Sequence, residues 1–169
     1  MVWDRFVRFF HWSLASGIVL NYWVLEAGDD PHEWLGYGLA ALVGARIVWG
    51  FRGPANARFC HFVVGPRRVL HSLKHFAEDY REHTGHSPLA GWMILFMFTC
   101  VIGLAVTGWM QGLDAFWGDE TLEVTHEWMG NALIGAAGLH VAAVLWIQRR
   151  YKVPLIQSIT GKYIASRSR

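Results

Sequence analysis

Apolar residues fall into four long runs along the chain, separated by polar stretches. The first covers 9–25 and follows Arg5 and Arg8. The second covers 34–51 and is interrupted only by Arg46. The third, 88–110, carries no charge, and the fourth covers 124–147. Each comes close to the ~20 residues that a helix needs to cross a bilayer. Only helices and closed barrels satisfy the backbone in lipid. The runs lack the alternation of a barrel strand. The pattern therefore predicts an all-α fold, an integral membrane four-helix bundle forming a single domain over 1–169. In the segment 52–87, Val69, Leu70, Leu73, Phe76 and Tyr80 recur at helical spacing, flanked by Arg67, Arg68, Lys74 and Arg81. They predict a short amphipathic helix, lying on the membrane surface or packed on a partner protein.

Composition supports the membrane reading. Of 169 residues, 53% are hydrophobic and 17% charged, and the mean hydropathy is +0.23. Such values lean towards a membrane protein. Nothing in them points to a nucleic-acid partner. Two cysteines, Cys60 and Cys100, make neither a disulfide framework nor a zinc motif. No cleavable signal peptide is expected, because the first run lacks a small-residue cleavage site.

Charge orients the runs. The loop 26–33 holds Glu26, Asp29, Asp30 and Glu33 and no Lys or Arg. The loop 111–123 holds Asp114, Asp119, Glu120 and Glu123, again without Lys or Arg. Every Lys or Arg except Arg46 lies in the N-terminus, the 52–87 loop or the 148–169 tail. The positive-inside rule then predicts a multi-pass protein of the bacterial inner membrane. Both termini and the 52–87 loop are expected in the cytoplasm, and the two acidic loops outside. Most of the ten tryptophans sit near the ends of the runs, as an interfacial belt would.

Four histidines fall within or at the ends of the runs: His11, His32, His126 and His140. His126 and His140 are fourteen residues apart in the fourth run. On a helix that places them about 40° apart around the axis and roughly 21 Å apart along it. With alternating run directions the four sort into two levels, His32 with His126 on the outer side and His11 with His140 on the inner. Ionisable groups inside a membrane face the bundle interior and are functional candidates by default. Facing imidazoles suit axial ligation of haem iron, a transition-metal site or a proton relay. Haem would want small residues beside its ligands. Ala15, Gly36 and Gly130 each stand four residues after a histidine, on the same face. Small residues also serve ordinary contacts between membrane helices. Arg46 lies fourteen residues after His32 and reaches the inner level. It is expected to pair with a haem propionate there. The alternative is that it snorkels to the inner surface.

The elements RFFHW, PHEWLGYGLAALVGARIVWG and HEWMGNALIGAAGLH together resemble the bacterial cytochrome b-561 type, a group that includes the membrane cytochrome b subunit of nickel–iron hydrogenases. The resemblance covers nearly the whole chain. It implies two non-covalent b-type haems, one near each membrane face. The outer would be held by His32 and His126, and the inner by His11 and His140. The stretch GHSPLAGW resembles a segment of small cytochromes b that pass electrons to c-type cytochromes. ARFCH at 57–61 is the covalent haem motif without its first cysteine and is read as coincidence. The remaining histidines lie in the 52–87 loop. His86, at the mouth of the third run, is expected to play a structural part, bond a propionate or line a quinone site.

Two axial imidazoles leave no open iron position, which implies electron transfer rather than oxygen chemistry. The leading expectation is electron transfer across the membrane between a quinone, ubiquinone or menaquinone, and a periplasmic partner such as a c-type cytochrome. The alternatives are a haem-bearing anchor for a hydrogenase or dehydrogenase, a superoxide-oxidising quinone reductase, and a haem-free metal or proton transporter. Whether the chain is a carrier or a subunit of a quinone-linked oxidoreductase is left open by these residues.

Overall fold

The computed structural model describes residues 3–54, 57–59, 65, 67 and 88–161, and these are all helix, turn or loop with no strand. The expected amphipathic helix lies outside the described residues, as do Cys60, His61, His71, His75, His83 and His86.

Helix α1 spans Arg5–Trp23 and is capped by Asp4, whose side chain accepts from the Val7 N–H at 2.9 Å. Such a cap satisfies one of the free donors of the first turn. Helix α2 spans Asp30–Arg52. Asp30, Pro31 and Glu33 stand in its first turn, where proline is tolerated and the helix dipole favours carboxylates. Helix α3 spans Pro88–Gln111. A single 3₁₀ turn, Asp114–Phe116, leads to α4, Glu120–Tyr151. Asp119 caps α4 by accepting from the N–H groups of Thr121 and Leu122. Lys152 ends it in the left-handed conformation, at φ 56°, and Pro154 follows. A short α5, Leu155–Thr160, turns back to the start of the chain, where the Trp3 N–H donates to the Ser158 carbonyl at 3.2 Å.

Among the described residues three helices are long and apolar enough to cross a membrane: α2, α3 and α4. Their apolar windows are only 22%, 22% and 17% buried, so most of their hydrophobic surface faces outward. Trp34, Phe51 and Trp128 are each more than 70% exposed. A water-soluble monomer rarely shows so much contiguous apolar surface. By the same measure of length and hydropathy α1 is not among the candidate spans; Arg5, Arg8, His11 and Asn21 lower its hydropathy.

The long helices pack as successive neighbours, α1 on α2, α2 on α3 and α3 on α4. Phe10, Leu39, Val43, Phe98, Val101 and Leu133 form a shared core drawn from all four, with Val43 fully buried. Cys100 joins it as a small packing residue. Gly17 lets α1 approach α2 closely, since a Cβ there would lie 2.5 Å from Leu39 Cδ2.

Helix limits differ from the hydrophobic runs at their ends. α4 extends four residues beyond its run on each side, and α2 begins four residues early. Polar residues at a helix end lower hydropathy without ending the helix, so these two runs understate their helices, whereas α1 stops at Trp23, two residues before its run ends. His32 consequently lies inside the first turn of α2 rather than ahead of it.

Candidate functional site

His32 in α2 and His126 in α4 come together at the acidic-loop end of the bundle. Their ring centroids are 6.3 Å apart, with the planes inclined by 53°. Two metal–imidazole bonds of about 2 Å and the two ring radii together span about 6 Å. The separation thus suits one metal between two rings. A cavity of about 40 Å³ lies at the pair, lined also by Tyr37, Leu104, Ala105 and Gly108.

Helix α3 holds one of these rings. Thr107 Oγ1 lies 2.8 Å from His126 Nδ1 and 2.9 Å from the Gly103 carbonyl. Gly108 is the next residue, and a Cβ on it would lie 3.4 Å from His126 Cε1. His32 Nδ1, by contrast, is buried with no hydrogen-bond partner. Neither Thr107 nor Gly108 stood out in the sequence. The one available signal was a hydroxyl within the uncharged third run.

At the basic end, His11 of α1 and His140 of α4 lie close enough to interact electrostatically. His11 Nδ1 is buried and unpartnered. His126 and His140 share one uninterrupted helix, about 21 Å apart along its axis. Residues of the shared apolar core, such as Leu39 in α2 and Leu133 in α4, stand about midway between the two levels along their helices.

Arg46 is only 4% exposed and does not snorkel. Its Nη2 donates to the Ala57 carbonyl at 3.0 Å, and its guanidinium carbon lies 4.9 Å from the centre of the Phe59 ring. Its Nη1 is buried without a hydrogen-bond partner. Asp4 interacts with it electrostatically, but the Asp4 carboxylate caps α1 and accepts from Trp49 Nε1 at 3.4 Å. A buried donor of this kind calls for an acceptor.

These features fit a large planar group with four ligands of its own. Among the described residues no three or more His, Cys, Asp or Glu side chains are grouped to hold a metal ion. A protein-built metal centre uses three or four such ligands; each level offers a pair of imidazoles. Gly36 and Gly130, one turn after the histidines of the first level, have no protein atom closer than 3.8 Å to a Cβ built on them. The protein's own packing does not demand glycine there, since a methyl would meet its neighbours at ordinary contact distance. A second polar link ties α1 to α4 nearby, where the Tyr22 hydroxyl donates to Asn131 Oδ1 at 2.5 Å.

The family profile described as prokaryotic cytochrome b561 matches residues 2–162. The chain belongs to that family. No curated protein and no solved structure matches it. As a prokaryotic cytochrome b561 it is a bacterial membrane protein of haem-b electron transfer. The resemblance read from RFFHW and the fourteen-residue histidine interval is thereby borne out.

Proposed function

We propose that this cytochrome b561 carries two bis-histidine b-type haems and moves electrons across the membrane between a quinone and a periplasmic redox partner. The observation that carries the proposal is the meeting of His32 and His126 at a ring separation of 6.3 Å, on a helix that also bears His140. His32 and His126 would ligate the outer haem, and His11 and His140 the inner. Haem b supplies one-electron Fe(III)/Fe(II) exchange when bound. The chain's residues do the rest. The four imidazoles would hold the two haems, two to each iron, so the chemistry supplied is electron transfer rather than oxygen activation. The unpartnered Nη1 of Arg46 is suited to an inner propionate. The apolar core residues around the bundle interior keep water from the path between the levels.

In this reading α1 completes a four-helix membrane bundle, with both termini and the 52–87 loop in the cytoplasm. Its support is the charge segregation along the chain and the packing of α1 against α2. The acidic loops at 26–33 and 111–123 then face the periplasm and suit a basic partner such as a c-type cytochrome. Salt should slow association with a basic cytochrome c, and an association rate independent of salt overturns that partner. Copurification of a catalytic redox subunit after gentle solubilisation would instead favour the anchor role.

The deciding experiment is a reduced-minus-oxidised spectrum of the purified protein with a haem count per chain. Two low-spin b-type haems are expected. One haem or none overturns the assignment of the two pairs.

A further inference from the structure

We propose that Thr107 is a positioning residue for His126 and lowers the reduction potential of the outer haem. The inference rests on the reading above, in which His126 ligates iron.

The Thr107 hydroxyl has one hydrogen and stands among three groups. The Gly103 carbonyl lies at 2.9 Å, the Leu104 carbonyl at 3.2 Å and His126 Nδ1 at 2.8 Å. Both carbonyls can only accept. If the hydroxyl donates to Gly103, its lone pair meets Nδ1 and accepts from an Nδ1–H. That arrangement satisfies both short contacts at once; the reverse satisfies one. The ring is then the Nδ1–H tautomer, with its lone pair on Nε2, the nitrogen left for iron. The adjoining Gly108 gives the ring space, for a Cβ there would already press at 3.4 Å on Cε1. Successive residues of α3 thus grip the ring and make room for it.

The effect is one-sided. His32 Nδ1 has no hydrogen-bond partner, so His126 is the ligand of the outer pair that α3 tunes. A hydrogen bond from the distal N–H raises the basicity of the ligating nitrogen. A more basic ligand favours the more positive iron, the ferric state, and the potential falls.

Thr107→Val keeps the shape and removes the acceptor, and Thr107→Ser keeps the hydroxyl. The outer haem is identified as the one lost in His126→Ala, and both potentials are read by redox titration of the purified variants. Thr107→Val should retain both haems and raise the outer midpoint potential, with the inner unchanged. A tenfold rise in the reduced-to-oxidised ratio at fixed potential corresponds to about 59 mV. Thr107→Ser should return the parent value. Thr107→Val with both haems at parent potentials overturns the inference, as does a Thr107→Ser shift as large as that of valine. If valine loses the outer haem, serine that keeps it at the parent potential supports the inference, and serine that also loses it overturns it. His126→Ala retaining both haems overturns the ligand assignment itself, a separate failure.

Discussion

The two ends of the bundle equip their histidine pairs differently. At the acidic end, α3 reaches one ring directly: Thr107 contacts His126 Nδ1 and Gly108 clears space beside it. Toward the basic end Arg46 of α2 is buried, with Nη2 bonded to the Ala57 carbonyl and Nη1 unpartnered. With haem bound, the first device would act through the ligand's basicity. The second would act through a buried positive charge in a low-dielectric interior, where Coulomb interactions are strong. A nearby cation favours the reduced, less positive iron and raises a potential, whereas a hydrogen-bonded imidazole lowers one. If the proposed haems are bound as above, the contrast would set them apart by their surroundings, with the inner at the higher potential.

Loss of a ligand should have the largest effect. His126→Ala and His140→Ala are each expected to halve the haem content, and the survivor in His140→Ala should titrate at the lower potential. If the survivors titrate in the opposite order, the comparison is reversed. Next comes Arg46→Gln, which removes the buried charge. The inner midpoint potential should fall while the outer stays put, read in the same redox titration. A shift confined to the outer haem would put Arg46 at the wrong level. A smaller response is expected from Gly108→Ala, whose new methyl presses on His126 Cε1 at 3.4 Å. The low-spin ferric signal of the outer haem should shift or broaden in electron paramagnetic resonance while the inner signal is unmoved. The smallest effect concerns stability alone. Tyr22→Phe removes the α1–α4 hydrogen bond to Asn131 and should cost about 1 kcal/mol, measured by thermal unfolding with both potentials unchanged.

Much of this architecture was legible along the chain. The uncharged run at 88–110 became α3, and the histidine interval of the fourth run became two residues on one unbroken helix. Arg46 was legible as an oddity, an arginine inside an apolar run. Its two expected fates, snorkelling or pairing, were not separable from spacing. The structure shows it turned inward under Phe59 with one nitrogen unpartnered. Thr107 was illegible. A threonine in a membrane helix commonly bonds its own backbone one turn earlier, as Thr99 does to the Leu95 carbonyl at 2.9 Å. Nothing in sequence separates Thr99 from Thr107. The difference is that one hydroxyl has an imidazole in front of it.

The sequence by itself determined the long apolar helices, the charge segregation and the fourteen-residue interval that sets His126 and His140 apart on one helix. Those follow from hydrophobicity and from rise per residue, which are properties of a single helix and survive whatever packs around it. Only the tertiary structure decided which side chain meets each ring, that Arg46 is buried and that α3 reaches His126. These depend on the rotation and approach of one helix against another. Side-chain volumes across the interface set both, such as Leu39 against Gly17 and Met129 against Gly103, and no periodicity within either helix records them.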